Sequence, residues 1–459
     1  MQNYDVWLKI FKYLDFRSKR MLLLSSRTFS DNLVVTDLCH IELKYLQKLT
    51  PKILKYSIFS NIRQLNVSYS NMINDISFMS NLRILNAQGN CGIDQNAIRK
   101  LNLVELNLWD NNKVMNLSFM SNLRILNING NCIVDQNGIN GLNLFELYTN
   151  DNRKITNASF MKNLKKLHAG FNCGINQYGI NGLNLIELDV RYNNKIFNVS
   201  FMKNLKVLHA YSLCGINQAG INGLNLVKLY VSDNIKITNV SFMKNLRVLH
   251  AAGKCGIDQD GIQGLDLIVF NANNNSKIYD VSFMHNLKKL YAADQEGCGI
   301  NQNGIKGLDL MELYVTNNIK IYDVSFMKNL RILYADDNNC GINQDGIRGL
   351  DLVELNVSRN WRIYDVSFMR NLKILNASYY CGIGQYSIKD LNLNVLNANC
   401  NEKINNVSYM KNLKILYASS NCGIGQNGIN GLDLTELYFF NNNKITDTSF
   451  MKNLINNIL

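Results

Sequence analysis

Apolar residues recur along most of this chain in a fixed period. The stretch SFMKNL at 241–246 has relatives throughout, and its aromatic residue marks the period. The marker positions are Phe78, Phe119, Phe160, Phe201, Phe242, Phe283, Phe326, Phe368, Tyr409 and Phe450. They lie 41 residues apart, except for one interval of 43 and one of 42. Such regularity indicates one structural unit stacked on itself.

Each unit divides into a long and a short half, typically of 21 and 20 residues. In 164–204, Leu164 and Leu167 begin the long half, and Leu185 and Leu188 begin the short half. Apolar and polar residues alternate after each first leucine, which predicts a half-buried strand. The asparagine that often follows is expected to turn the chain, its amide bonding to backbone groups. The SFM stretch is expected to form the return path, with its Phe and Met side chains reaching into the core.

Both halves fit L-x-x-L-x-L-x-x-N, the leucine-rich-repeat pattern. Nineteen copies run from Ile62 to Leu434, and a partial copy follows at Leu454. The long half, CGINQYGI in one copy, resembles the cysteine-containing repeats of F-box/leucine-rich-repeat proteins. The short half, KITNVSFMKNL, resembles repeats of the internalin and phosphatase-regulator type. The sequence thus predicts an α/β fold over 61–459, a leucine-rich-repeat solenoid. Its parallel strands are expected to lie about 4.8 Å apart and to form an arc.

The first 60 residues do not follow the period. In DVWLKIFKYLDFRSKRMLLLSSRTFSDNL (5–33), apolar residues fall at helical spacing on one face. This stretch resembles an F-box, with Gln2-Asn3 in place of the family's Leu-Pro. The residues that match the family pattern are Asp5, Val6, Trp7, Ile10, Phe11, Tyr13, Leu14, Ser26, Arg27 and Phe29.

The resemblance implies a small all-α module over 1–33 that docks on a Skp-type adaptor of a cullin-RING ubiquitin ligase. The adaptor-binding residues that it implies are Val6, Trp7, Ile10, Phe11 and Leu14. Residues 34–60 are predicted to form a connecting helix that caps the first strand. The alternative is that residues 1–60 only cap the repeats, because open-ended repeat stacks need caps.

The alternation also predicts which side chains line the inner, concave face. Positions are counted from the first leucine of each half, taken as zero. Position +4 carries a stripe of mostly aromatic and imidazole side chains, and position +2 of the short halves carries several glutamates. The predicted target-binding residues are Tyr148, His168, Asp189, His209, Tyr230, His250, Tyr291, Tyr314 and Tyr334. Tyrosine is enriched in binding hot spots, but repeat duplication also copies residues regardless of use.

Metal and catalytic sites are not expected. His168, His209 and His250 would lie two strands, about 10 Å, apart, whereas each zinc ligand lies about 2 Å from the ion. The same spacing excludes disulfides between the periodic cysteines, which are predicted to be small buried apolar side chains. No phosphate loop, nucleophile elbow or paired nucleophile and base is present. The sequence therefore predicts a non-enzyme without cofactor or metal.

The net charge of +13 raises the question of nucleic acid. The cations recur at position +1 of the long halves and +10 of the short halves, away from the aromatic stripe. Nucleic-acid grooves usually interleave cations with stacking residues. The cations are therefore interpreted as a solvated rim, and nucleic-acid binding is the weaker, third hypothesis.

No apolar run approaches the roughly 18–20 residues of a membrane helix, and the start does not look like a secretory signal. A cytoplasmic protein without membrane contact is expected. Its near-identical duplications and many asparagines resemble the F-box and repeat proteins of giant DNA viruses of amoebae. If the chain is viral, it would act in the host cytoplasm and with the ubiquitin ligase of the host. The prediction is a substrate-recognition adaptor of an SCF-type ubiquitin ligase that binds a target protein, or alternatively a scaffold without a ubiquitin role. An edge-to-edge dimer through the C-terminal repeat is a further expectation, since an exposed strand can pair with another chain.

Overall fold

The computed structural model describes residues 49–56 and 59–458, together with Ser18 and Asp37–Leu38. The five predicted adaptor-binding residues, and the F-box-like module apart from Ser18, lie outside the described residues. The chain forms two compact units, Met1–Leu224 and Asn225–Leu459.

The first unit contains nine short strands among its described residues. Each pairs in parallel with the next in chain order, and the leucines at the strand centres face one another, as Leu65 faces Leu85. The strands are β1 Asp37–Leu38, β2 Gln64–Asn66, β3 Ile84–Asn86, β4 Glu105–Asn107, β5 Ile125–Asn127, β6 Glu146–Tyr148, β7 Lys166–His168, β8 Glu187–Asp189 and β9 Val207–His209. Short α-helices span Pro51–Leu54, Gln95–Ile98 and Gln218–Ile221, and 3-10 turns span Asn137–Ile139 and Tyr178–Ile180.

The second unit repeats this arrangement with twelve strands in its described residues, again paired in parallel in chain order. They are β10 Lys228–Tyr230, β11 Val248–His250, β12 Val269–Asn271, β13 Lys289–Tyr291, β14 Glu312–Tyr314, β15 Ile332–Tyr334, β16 Glu354–Asn356, β17 Ile374–Asn376, β18 Val395–Asn397, β19 Ile415–Tyr417, β20 Glu436–Tyr438 and β21 Asn456–Ile458. The 3-10 turns span Asp260–Ile262, Asn303–Ile305 and Asp345–Ile347, and α-helices span Gln385–Ile388 and Gln426–Ile429.

The strands confirm the leucine-rich-repeat prediction. The nineteen strands β2 to β20 correspond to the nineteen predicted copies, and the partial copy supplies β21. Within the predicted connecting helix, 34–60, the structure places strand β1, which pairs with β2, and the helix Pro51–Leu54. A single helix over the whole of 34–60 is therefore wrong, because Asp37–Leu38 forms a strand and the helix at Pro51–Leu54 begins only after the extended Thr50. Much of the rest of that segment lies outside the described residues.

Burial follows the predicted alternation. In nearly every strand the middle side chain is buried and the outer two are half-buried, because successive side chains of a strand point to opposite faces. The methionine of each SFM stretch is buried, as in Met202. Its phenylalanine is not: Phe160 and Phe201 are 37% and 38% exposed. The prediction that this phenylalanine reaches into the core is therefore wrong.

A ladder of buried asparagines joins successive repeats. Asn193 donates through Nδ2 to the carbonyl oxygens of Ala169 (2.7 Å) and Ile175 (3.0 Å). Its Oδ1 accepts from the backbone N–H of Lys195 at 2.9 Å. The buried members of the ladder are Asn111, Asn152, Asn193, Asn234, Asn275, Asn318, Asn360, Asn401 and Asn442. The amide thus satisfies buried backbone groups, as predicted from its place after the strand.

Two further ladders were not predicted. Gln177 donates to the carbonyl of Asn198 (2.8 Å) and accepts from the N–H groups of Phe197 (3.1 Å) and Asn198 (2.9 Å). The ammonium of Lys195 donates to the carbonyl of Cys173 at 2.9 Å. Further lysines that make the equivalent bond are Lys113, Lys277, Lys320, Lys403 and Lys444. Position +10 is thus a structural position rather than only a solvated rim.

Gly304 lies where a repeat crosses the backbone of its neighbour. Its carbonyl accepts from the N–H of Val281 at 2.9 Å, and an added Cβ would overlap the carbonyl oxygen of Tyr279. Two other repeats carry Ala97 or Ser387 here, and both form an α-helix instead of a 3-10 turn. Those repeats also lack the left-handed glycine that follows three residues later, which is Gly307 here, with φ +78°.

We expect Gly304→Ala to lower the free energy of unfolding by about 1–3 kcal/mol, because the new methyl group forces the neighbouring backbone to shift. The double variant Gly304→Ala, Gly307→Lys copies the pairing of Ala97 with Lys100, so it should recover part of the loss. Urea unfolding of both variants measures the difference. A double variant less stable than the single one would contradict this coupling.

Candidate functional site

All nine predicted target-binding residues are the third residue of a strand. In each unit they lie on the side of the sheet that carries the first and third side chains of each strand, hereafter the open face of that unit. Eight are half-buried, but Asp189 is buried. Five lie in β10, β11, β13, β14 and β15 of the second unit, where Asn271 of β12 interrupts them, and four occupy β6 to β9 of the first.

In the first unit, the Tyr148 and His168 rings contact each other, with centroids 4.6 Å apart. The Tyr148 hydroxyl donates to Oε2 of Glu146 at 2.7 Å, and Lys166 lies 3.2 Å from the other oxygen of that carboxylate. Burial and the bond to Glu146 both raise the pKa of Tyr148. The hydroxyl therefore stays protonated and oriented by a carboxylate at neutral pH.

Asp189 holds two neighbouring side chains rather than facing solvent. Nε of Arg191 donates to both carboxylate oxygens (3.0 and 2.8 Å), and its Nη2 lies 2.7 Å from Oδ2. Nδ1 of His168 lies 3.7 Å from the same oxygen, and its Nε2 lies 3.3 Å from Oε1 of Glu187. The hydrogen bonds with Asp189 raise the pKa of Arg191. A partner would therefore meet Arg191 and His168, with the Asp189 carboxylate covered.

The pKa of His209 is lowered, first because partial burial disfavours the charged imidazolium. Asp189 and Glu187 act in the opposite direction, whereas Arg191 and His168 lower the pKa further. We expect the imidazole to be neutral at pH 7 and to resist protonation as the pH falls below its ordinary value of about 6.5. This residue should accordingly contribute stability above that pH and lose it in acid.

Proton NMR titration of the chain's five histidines tests this expectation. One imidazole should titrate below its ordinary value of about 6.5, and its signal should disappear in His209→Gln. A signal assigned to His209 that titrates at 6.5 or above would contradict the expectation.

In the second unit the rings form a longer run. Centroids of Tyr230 and His250 lie 4.7 Å apart, and those of His250 and Tyr291 lie 6.4 Å apart. Tyr291 stacks on Tyr314 at 4.4 Å, and Tyr314 contacts Tyr334 at 4.8 Å. In the second unit the predicted stripe is therefore a run of neighbouring rings. It presents an aromatic surface whose side chains have little conformational freedom.

A lysine that the sequence analysis did not single out sits within this run. Nζ of Lys289 lies 2.6 Å from Oε2 of Glu312 and 5.2 Å from the ring centroids of both Tyr291 and Tyr314. The Tyr314 hydroxyl donates to the same carboxylate oxygen at 3.0 Å. Burial and Glu312 raise the pKa of Tyr314 to about 12. Lys289 could have been noticed, because position +2 of its strand faces Glu312 in the next.

Beyond Tyr334 the aromatic run is interrupted. Its hydroxyl donates to Oε1 of Glu354, and burial and that carboxylate raise its pKa. The third residues of β16, β17 and β18 are asparagines. A second stack follows, in which the rings of Tyr417 and Tyr438 lie 4.6 Å apart and only 7° from parallel.

Little in the described residues favours catalysis. No group of three or more His, Cys, Asp or Glu side chains in the described ranges is placed to hold a metal ion. A polar cavity at the ends of strands in the first unit is lined by Trp109, Asp110, Cys132 and Arg153, among others. Burial raises the pKa of Cys132 to about 11, so its sulfur is a thiol and a poor nucleophile at neutral pH.

The described cysteines that follow the period are buried and free. Burial raises the pKa of several of them, Cys381 for example to about 11. This agrees with the prediction of small apolar core residues. Among the helices of the described residues, none is long and apolar enough to cross a membrane.

Comparison with solved structures found other repeat proteins. A leucine-rich-repeat protein of Leptospira interrogans is 19% identical, with a TM-score of 0.38, over 85% of this chain and 92% of that one. The structure of a TLR13–ssRNA13 complex is 16% identical, with a TM-score of 0.47, over 84% and 65%. The structure of Rad7 and Elc1 in complex, from yeast, is 13% identical, with a TM-score of 0.34, over 79% and 82%.

No protein-family model matches the sequence, and no curated protein matches it either. At these TM-scores the structural likenesses carry no argument about function. The assignment of each unit as a leucine-rich-repeat solenoid stands on the strand register and the 41-residue period.

Proposed function

We propose that this chain is a non-catalytic scaffold whose open face binds a target protein. The observation that carries the proposal is the run of ring contacts from Tyr230 to Tyr334. Partly exposed tyrosines held by neighbours lose little conformational freedom on binding and offer both apolar area and a hydroxyl. The strands keep these rings at fixed spacing, which suits a protein surface better than a small substrate.

A triple variant of the open face tests this function. Tyr291→Asn, Tyr314→Asn, Tyr334→Asn removes the last three rings of the run. Asparagine is native at the same strand position in Asn271 and Asn356, so the fold should tolerate it. Proteins that co-purify with the tagged full chain should be lost from this variant, because the hot-spot area is gone.

The matched control removes three tyrosines from the same or the preceding repeats, each four residues before the aromatic residue of an SFM stretch. Tyr279, Tyr322 and Tyr364 are 54%, 56% and 60% exposed, and Asn405 occupies the equivalent position in another repeat. The control Tyr279→Asn, Tyr322→Asn, Tyr364→Asn should keep the co-purifying proteins. Loss from the control, with retention by the open-face variant, would place binding at these tyrosines and overturn the proposal.

We further propose that residues 1–33 attach this scaffold to a Skp-type adaptor of a cullin-RING ubiquitin ligase, so that the bound target is modified. The support is the F-box-like sequence, above all Val6, Trp7, Ile10, Phe11 and Leu14. The order of an F-box-like segment before leucine-rich repeats also fits this role. In this proposal the chain itself catalyses nothing, and the ligase, of the host if the chain is viral, acts in the cytoplasm.

Binding of a purified Skp-type adaptor to the full chain tests this second step. Micromolar binding that is lost in Ile10→Asp, Phe11→Asp supports the adaptor role, provided that circular dichroism shows the variant to be folded. No binding to the folded wild-type chain would leave residues 1–60 as a cap and the protein as a scaffold without a ubiquitin role. Failure here does not affect the open-face proposal.

Nucleic acid is not part of the proposal. The aromatic run of the second unit carries Glu312 and Glu354 beside the rings, and the lysine within the run, Lys289, is paired with Glu312. The periodic lysines at position +10 donate to backbone carbonyls. A phosphate backbone requires cations beside the stacking residues. Pairing of two chains through β21 stays a prediction, which light scattering of the purified chain would check.

A further inference from the structure

In one pair of adjacent strands of the second unit, a lysine side chain of the same chain occupies a site made by two tyrosines and a glutamate. Lys289, in β13, projects its ammonium to the Glu312 carboxylate and lies 5.2 Å from the two stacked rings of Tyr291 and Tyr314. Partial burial alone would lower the pKa of Lys289, but Glu312 and both tyrosines together outweigh it, so the pKa is raised. Two parallel tyrosines with a carboxylate in front of them therefore form a site that stabilises a lysine ammonium.

The same constellation recurs without its lysine. Strands β19 and β20 pair in the same register, so that Tyr417 faces Tyr438 and Ile415 faces Glu436. The rings stack at 4.6 Å, and the Tyr438 hydroxyl donates to Oε2 of Glu436 at 2.7 Å. The matching distances in the first constellation are 4.4 and 3.0 Å. The side chain that differs is Ile415, which stands where the other pair has Lys289.

Glu436 also differs in its charge partners. Among the residues that the structure describes, no lysine, arginine or histidine forms an ion pair with Glu436, whereas Glu312 is paired with Lys289. An ionised carboxylate can accept about four hydrogen bonds, and the Tyr438 hydroxyl supplies one. The Tyr417–Tyr438–Glu436 group, hereafter the lysine slot, has the electrostatics of the first constellation without the cation.

We propose that the lysine slot takes a lysine side chain of the target protein, with its ammonium at Glu436 and its methylene groups against the two rings. This rests on the proposed function, in which the open face binds a protein, and adds the chemistry of the contact. Cation–π attraction and a charge-assisted hydrogen bond act on the same group, and an uncharged side chain gains neither. The partner segment that covers β19 and β20 is accordingly basic.

Two reciprocal substitutions test the slot in the full chain, with Nα-acetyl-lysine amide as the probe. Ile415→Lys fills the lysine slot from within, as Lys289 fills its own, and Lys289→Ile opens the second site. Each new residue is native at the equivalent position of the other pair, so both variants should fold, which circular dichroism checks. Saturation-transfer NMR, in which protein protons are irradiated and the probe is observed, follows weak binding directly.

The wild-type chain should transfer saturation to the lysine methylenes and not to Nα-acetyl-norleucine amide or the Nε-acetylated probe. Affinity should fall about tenfold in Ile415→Lys and in Glu436→Gln. Lys289→Ile should gain a second site. Equal binding by wild type and Ile415→Lys, or equal binding of the norleucine probe, would overturn the proposal. If this test rejects the lysine slot, but the open-face triple variant still fails to retain the co-purifying proteins, the proposed scaffold function stands.

Discussion

Replacing Asn318 by alanine is expected to lower the free energy of unfolding by about 4 kcal/mol. The side chain is fully buried and donates to the carbonyls of Ala292 (2.7 Å) and Ile300 (3.2 Å), while its Oδ1 accepts from the N–H of Lys320 (2.9 Å). Alanine leaves these three backbone groups without that partner, and each unsatisfied buried group costs about 1–3 kcal/mol. The loss is large because one amide serves two neighbouring repeats.

Urea unfolding gives the free-energy change, and amide hydrogen exchange shows where it acts. Exchange of the Lys320 N–H should accelerate most directly, because Asn318 is its acceptor. Asn303→Ala is the matched control, since Asn303 lies in the same repeat pair and is exposed. Its cost should stay within about 0.5 kcal/mol, as for most surface substitutions. A loss below about 1 kcal/mol in Asn318→Ala would mean that water replaces the amide.

The ladder also explains which parts of this fold a sequence can predict. A residue that recurs every 41 positions must meet the same surroundings in every copy, so alternation and asparagine placement predict the strands and the turn. Asn193 and Asn318 confirm this, because each donates to two carbonyl oxygens of the preceding repeat. The first acceptor directly follows the strand, and the second precedes the 3-10 turn. A contact that is present in every repeat can therefore be predicted from the period.

Contacts made by long or partly exposed side chains were harder to predict. Lys195 was interpreted as part of a solvated rim, but its ammonium reaches a carbonyl 22 residues away in sequence. A flexible four-carbon stem allows either outcome, and the pattern does not distinguish them. Phe160 illustrates the reverse error, because it is large and apolar but remains more than one-third exposed. Periodicity shows that a residue recurs at the same position of each repeat, but it does not show in which direction a long side chain points.

The sequence predicted where the rings and the glutamates of the candidate site lie, but it did not predict the lysine among them. The sequence placed Tyr291, Tyr314 and Tyr334 on one face, and the structure brings their rings into contact. It did not identify Lys289, whose role depends on the cross-strand register with Glu312. The predicted adaptor-binding segment lies outside the described residues, and its resemblance remains the basis for that proposal.

Asp189 shows a signal that the sequence did contain. Alternating positions of the repeat pattern point to the same side, and Arg191 follows two residues after Asp189, the last residue of β8, so the sequence places a carboxylate and a guanidinium close together. The structure folds the guanidinium back over the carboxylate and buries it, with a side-chain exposure of 1%. Asp189 is therefore a support for Arg191 and His168 within the open face rather than a direct contact.

Removing Arg191 alone should accordingly be among the costliest changes on the open face. In Arg191→Ser the Asp189 carboxylate stays in its buried position and loses three contacts, two from Nε and one from Nη2. Breaking one side of a buried ion pair leaves an uncompensated charge, which costs about 3 kcal/mol or more. Urea unfolding should show this loss, although Arg191 itself is partly exposed and a surface pair would contribute far less.

The double variant Asp189→Asn, Arg191→Ser separates the buried charge from the packing. It converts Leu-Asp-Val-Arg into the Leu-Asn-Val-Ser of 355–358. There, Oδ1 of Asn356 accepts from the N–H of Ser358 at 3.1 Å, as Oδ1 of Asp189 accepts from the N–H of Arg191 at 3.1 Å. The backbone bond survives and no charge is buried, so the double variant should lose less than about 1 kcal/mol. If it is as unstable as Arg191→Ser, the guanidinium stabilises the strand by packing rather than by pairing with Asp189.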